Sequence, residues 1–145
     1  MYQIKVEFEP LLPAGEPMTE AEWKTTGQIA KQEIALGMDE QVQVNGAGYP
    51  PLKPKTVERK RKKGSTTPEK RLLDTHNMRN SPQMVPDKTG VSLFFGTQRE
   101  QIAPYHQFGT ENLPAVNFFG ISERARKRIL DYWITVVDQW LRKTR

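Results

Sequence analysis

The residue types in this chain that could do chemistry are its two histidines, its carboxylates and one run of basic side chains, and their spacing limits what each can do. His76 followed by Asn77 is the opening that a metal-dependent HNH nuclease would need, since such a site holds a metal and polarises water with histidines. The other histidine, His106, stands at no matching ligand spacing. It lies between Tyr105 and Gln107, where a neutral imidazole that accepts or donates one hydrogen bond serves packing. The carboxylates are dispersed. Glu7 and Glu9 fall on the polar face of a predicted strand, Glu20 and Glu22 at a helix start, and Asp131 and Asp138 on the outer side of the last helix. General acid and base work needs such groups paired in one cleft, and this pattern pairs none. Gly46-Ala47-Gly48 lacks both the following Lys-Ser or Lys-Thr and the strand-to-helix setting of a phosphate cradle, so it reads as a turn. Cysteine is absent, which excludes thiolate nucleophiles, disulfides and cysteine-zinc sites together. The expectation is a protein that is not an enzyme and uses no metal or cofactor.

The basic run is Arg59, Lys60, Arg61, Lys62 and Lys63, inside a stretch from about residue 45 to 70 that contains few apolar side chains. A long, flexible basic loop is expected there, with at most a short helix over residues 56–63. Adjacent like charges repel, and little apolar surface is buried to offset the entropy of ordering. Three readings fit the run, with Tyr49 at its approach: a solvated loop, a surface that neutralises DNA phosphates and releases counterions, or an arm that orders on a neighbouring subunit. Aromatic residues are not interleaved with the charges, so base stacking is not expected. The net charge of +5 would suit a polyanion but says nothing about fold.

The elements that must position these residues follow from periodicity. Tyr2, Ile4, Val6 and Phe8 alternate with polar residues and predict a strand over residues 2–8. Pro10, Pro13, Gly15 and Pro17 then make a loop. Thr19 with Glu22 is a capping-box pattern, and Met18 can staple against Trp23, so a helix begins at Thr19. Its inward side is Trp23, Gly27, Ala30, Ile34 and Met38, with Gly27 admitting a neighbouring backbone and Gly37 as one possible end. Leu72, Leu73, Met78 and Ser81 predict a short helix or turn closed by Pro82. Residues 83–85 and 91–96 predict an antiparallel hairpin whose connection, Asp87-Lys88-Thr89-Gly90, lets Gly90 take a positive φ. Residues 102–120 combine Pro104, Gly109, Pro114 and Gly120 with Tyr105, Phe108, Phe118 and Phe119, a pattern of irregular backbone braced by large side chains, with one helical turn at most. Ser122 caps a last helix with Ala125, Ile129, Trp133, Val136 and Trp140 facing inward and Leu130, Val137 and Leu141 beside them. That stripe is wider than one small sheet covers, and a surplus would mark a subunit interface.

A chain of 145 residues can enclose one core, and neither a repeat nor a second domain is visible, so residues 1–145 read as one domain. The mean hydropathy of −0.71 and a 36% hydrophobic share imply that part of the chain stays outside that core. No stretch approaches the roughly 20 apolar residues of a membrane span, and the N-terminus lacks a leader pattern, so a soluble protein kept inside the producing cell is expected. The predicted fold class is α+β: a mainly antiparallel sheet packed with an N-terminal and a C-terminal helix, plus the basic loop.

Three segments, in order, resemble the phage virion morphogenesis or tail-completion family of Mu-like phages and prophages. The first is Tyr49-Pro50-Pro51-Leu52-Lys53-Pro54-Lys55-Thr56 followed by Arg59-Lys60. The second is Leu73-Asp74-Thr75-His76-Asn77-Met78-Arg79-Asn80-Ser81, in which His76 and Asn77 stand where the family usually has small residues. The third comprises Gly96, Ala103-Pro104-Tyr105-His106-Gln107-Phe108-Gly109-Thr110, Leu113-Pro114-Ala115 and Phe118-Phe119-Gly120-Ile121-Ser122, with Val116 where many relatives carry arginine. The likeness covers about residues 49–135. It implies an α+β structural protein without catalytic activity that works in tail completion or head-to-tail joining as a subunit of a ring. Its partners would be other tail or neck proteins and further copies of itself, with DNA nearby in the channel, no membrane and no small-molecule substrate. It would be found in the host cytoplasm during assembly and then in the virion. Leu73, Thr75, Ser81, Tyr105, His106, Gly109, Pro114 and Phe119 would be the structural residues of the motifs, and Tyr49 with residues 59–63 would reach a partner or DNA.

Overall fold

A computed structural model of the chain describes residues 3–6, 17–73, 76–96 and 99–145. The readings made for Tyr2, Glu7, Phe8, Glu9, Pro10, Pro13, Gly15 and Thr75 lie outside the described residues.

The first helix, α1 (Glu20–Glu40), starts where the capping pattern places it. The backbone amide of Thr19 donates to Glu22 Oε2 at 2.9 Å, and its hydroxyl donates to the same carboxylate. One face of α1 buries Trp23, Gly27, Ala30, Ile34 and Met38, the expected stripe, together with Thr26 and Glu33. Gly37 does not end the helix. It lies within the last turn, and Gln41 ends α1 in the left-handed region at φ 59°. A Cβ on Gly27 would stand 2.7 Å from both Met84 Sδ and Val91 Cγ2, so the close approach is by side chains of the sheet and not by backbone.

That sheet contains β1 (Gln3–Val6), β2 (Pro82–Pro86) and β3 (Val91–Phe95) in the order β1-β3-β2, antiparallel throughout. Ile4 pairs with Leu93 on one side of the central strand and Met84 pairs with it on the other. Pro82 opens β2, where it was expected only to close the preceding turn; an edge strand tolerates the missing amide donor. The hairpin connection is made by Asp87, whose Oδ1 accepts from the Thr89 amide at 2.7 Å while its own amide donates to the Gly90 carbonyl at 2.8 Å. Gly90 is not among the positive-φ residues, because this side-chain turn does the work that a left-handed glycine was expected to do.

Val91, Leu93 and Phe95 point from β3 onto α1, and the core grows around them. Leu73 joins it, as do Met78 from the short α3 (Asn77–Asn80) and Ala103 from α4 (Arg99–Phe108). Phe118 and Phe119 stack on Phe95 with ring centroids 5.7 and 4.4 Å away. The last helix, α5 (Glu123–Thr144), is capped by Ser122, whose Oγ accepts from the Ala125 amide at 3.1 Å. It packs on α1 beside the residues that meet the sheet and runs antiparallel to it, with Arg124 at Glu33 and Glu40, and Trp133 donating to Thr26 Oγ1 at 3.1 Å. Sheet, α1 and α5 thus share one core in an α+β fold.

Two expectations are corrected. The basic segment is a loop only in part, because the short helix allowed at residues 56–63 forms as the nine-residue α2 (Pro54–Lys62), which begins on a proline, where the absent donor is harmless, with non-helical backbone on either side. Residues 99–108 form a ten-residue helix despite Pro104, where irregular backbone with a single helical turn was expected. The break falls instead at Gly109, at φ 76°.

Candidate functional site

The order of the basic segment comes from polar ties and not from apolar burial. Lys60, expected among the contact residues, is 6% exposed, and its ammonium donates to the Thr67 carbonyl at 3.1 Å and the Lys70 carbonyl at 2.6 Å. Arg71 donates from Nε to the Pro50 carbonyl at 2.5 Å and from a terminal nitrogen to the Pro51 carbonyl at 2.9 Å. These bonds clamp both ends of α2 onto the body, and Arg59, Arg61, Lys62 and Lys63 are left on the exposed side. Arg61 and Lys62 hold surface ion pairs with Glu69 and Glu58, contacts that contribute under about 1 kcal/mol each. Tyr49 packs against the core with its hydroxyl buried and without a hydrogen-bond partner among the described residues, and burial pushes the phenol above its ordinary value.

The segment after α4 is organised by side-chain amides. Gln107 Oε1 accepts from the Phe118 and Phe119 amides at 3.2 and 3.1 Å, and its Nε2 donates to Asn117 at 2.7 Å. The Val116 amide donates to the His106 carbonyl at 2.8 Å. Val116 is 1% exposed and serves the core. His106 is half-buried, and desolvation, aided by the Arg71 charge, lowers its pKa and keeps the ring neutral. Leu73 and Phe119 are buried, Ser81 Oγ donates to the Met78 carbonyl at 2.9 Å, and Pro114 is exposed. Tyr105 and Phe108, expected to brace the segment from within, are 58% and 63% exposed, because the helical backbone turns them outward while Ala103 faces the core.

The most buried carboxylate, Glu33, is held by two arginines, Arg124 at 2.5 Å and Arg128 at 2.6 Å. Desolvation raises its pKa, but the hydrogen bonds from Arg128 and Arg124 outweigh it and hold the carboxyl below the usual range. It borders a groove of about 410 Å³ between α1 and the approach to α5, with Val42, Val44 and Phe118 on the apolar side and Arg124 also paired to Glu40. An acid locked between two cations has no proton to exchange near neutral pH, so the groove is poorly equipped for acid-base chemistry. Among the described residues no three His, Asp or Glu side chains cluster to hold a metal, and His76, at φ 57° before α3, joins His106 in no such group. No helix among the described residues is long and apolar enough to cross a membrane.

What the surface does offer is apolar area. Tyr105, Phe108 and Ile102 stand on α4 with Leu113 after it, and Leu130, Ile134 and Leu141 stand on α5, at 37 to 67% exposure. Periodicity predicts a wide inward stripe on α5, but only Ala125 and Ile129 of that helix are fully buried.

A small α+β protein with paired charges inside and apolar faces outside is built to be assembled with other proteins. The chain belongs to the phage virion morphogenesis family, which it matches over residues 6–138. It is accordingly a phage structural protein with a role in building the virion. No curated protein and no solved structure matches it.

Proposed function

We propose that this protein completes the phage tail or joins it to the head, as one subunit of a closed homo-oligomeric ring, assembled in the host cytoplasm and carried in the virion. The reading is carried by two separate exposed apolar faces, on α4 and on α5, in a member of a virion morphogenesis family. Monomeric soluble proteins rarely leave such area uncovered, and apolar faces of this kind are where copies of one chain meet when an oligomer closes. The chain acts by geometry and is not an enzyme. Removing the gene from the producing phage is expected to leave filled heads and tails unjoined, with infectivity restored by the gene supplied in trans. Joined, infectious particles without the protein would end the reading.

A second reading is favoured by α2. Lys53, Lys55, Arg59, Lys62 and Lys63 surround a concavity of about 560 Å³ in which Glu58 is the acidic member. If this face touches duplex DNA, log affinity falls with log salt by about 0.9 per phosphate neutralised. The pair Arg59→Gln and Lys62→Gln is then expected to make the slope shallower by nearly two such steps. Absence of duplex binding at low salt would remove this reading and leave the structural one intact.

A further inference from the structure

On α5 the exposed large apolar residues are Leu130, Ile134 and Leu141, and with Val137 between the last two they are separated by four, three and four residues. That is the a/d spacing of a coiled-coil seam, with Ile134 and Leu141 at a and Leu130 and Val137 at d. Ile134 is 67% exposed, Leu130 45%, Leu141 42%, and Val137 is half-buried. The seam is rotated roughly 100° around the helix from the face that packs on α1, as residues one position apart must be. Ala125, Ile129 and Trp133 therefore hold α5 in place while the seam is left uncovered. Two heptads are too short for a stable isolated coiled coil, but this helix is already folded against α1, so its ordering is complete before any partner arrives.

We infer that the seam is covered by α5 of a second copy of this chain, lying parallel and in register. This rests on the homo-oligomeric reading above and names the surface through which it works. Charge decides the direction. In a parallel pair Arg126, at the g position, lies beside Asp131 of the second copy at e, and Trp140 lies beside the second copy's Arg145. In an antiparallel pair the like-charged Asp131 and Asp138 would face each other across the seam. Parallel helices are also what cyclic symmetry about an axis along α5 demands.

The chain has no cysteine, so a single one reports cleanly. Leu130→Cys, at one end of the seam, is expected to yield a disulfide-linked dimer on mild oxidation, since a residue there meets its own equivalent in the parallel register and lies about 16 Å from it along the axis in the antiparallel one. A mixture of Leu130→Cys and Leu141→Cys chains is expected to cross-link only like to like, with no mixed Leu130–Leu141 disulfide. Ile134→Glu, at a position already in water, is expected to keep the wild-type melting transition yet weaken association by about 100-fold or more, read as a shift to monomer mass in light scattering. A wild-type chain that is monomeric at roughly 100 µM overturns the inference, as does an Ile134→Glu chain of unchanged oligomeric mass or preferential Leu130–Leu141 cross-linking. In phage lacking the gene, an Ile134→Glu copy that restores infectivity fully removes this surface while leaving tail completion standing. Failure of the wild-type copy would remove the functional reading itself.

Discussion

Gly109→Ala is expected to lower the free energy of unfolding by roughly 3 kcal/mol, measured by denaturant titration. The left-handed region at φ 76° costs a residue with a Cβ about 1–2 kcal/mol. The new methyl would then stand 2.8 Å from both the Ala115 amide nitrogen and the Leu113 carbonyl oxygen. Those atoms are backbone, tied by the Thr110–Leu113 and Val116–His106 hydrogen bonds, so they yield only by opening the turn. Gly46→Ala is the control. Gly46 has φ 88° and open space for 4 Å around the place a Cβ would take, so it carries the conformational cost alone and is expected to lose about 1 kcal/mol. Equal losses at the two positions would show that the turn after α4 has slack that its contacts deny.

The contrast between these glycines also marks what a sequence can and cannot tell. That residues 109 to 120 form an irregular, constrained segment is legible from glycine, proline and aromatic spacing. Which glycine is pinned by backbone on two sides is a tertiary fact. The same division runs through the fold. Helix α1 could be read because cap, staple and stripe agree, and the hairpin because two apolar runs flank a turn. Helix α2 could be read only as a short helix allowed within a loop, because a lysine and an arginine order it by donating to carbonyls seven to twenty-one residues away, a pattern that has no periodic signature. Helix α4 was hidden by Pro104, which periodicity treats as a stop although a helix can continue through it with one bond missing.

The surface was legible in part. The surplus apolar width of α5 was visible as an excess over what a small sheet can cover, but residues at adjacent positions share one periodicity, so pattern alone does not say which face is outward. Once Ala125, Ile129 and Trp133 are seen on α1, Leu130, Ile134, Val137 and Leu141 are placed on the open side by helix geometry. The basic run shows the reverse case. Five charges alike in sequence divide into Lys60, turned inward, and four turned to solvent, and only the positions of the Thr67 and Lys70 carbonyls make that division.

Acid is expected to unfold this protein through the contacts that α1 makes with α5, at Glu33, and with α3, at Asp39. Glu33 and Asp39 both have carboxyls held below their ordinary values of 4.5 and 3.8, Glu33 because hydrogen bonds from Arg128 and Arg124 overcome its desolvation, and Asp39 chiefly through the Arg79 hydrogen bond. A depressed folded-state pKa means that the unfolded chain takes up protons first. The stabilisation is therefore complete above the ordinary carboxyl value and is lost as pH falls through the lower, folded one. The melting temperature should hold steady near neutrality and drop as pH falls below the ordinary carboxyl values. Glu33→Gln keeps the shape but cannot titrate, so its melting temperature should be lower at neutral pH and fall less across the same window. Glu33→Ala is expected to lose about 2 kcal/mol at neutral pH. This is below the range for breaking a wholly buried pair, because Arg124 and Arg128 are 49% and 43% exposed and can regain water. If Glu33→Gln retained the full acid transition of the wild type, the α1–α5 contact would not be where protons act.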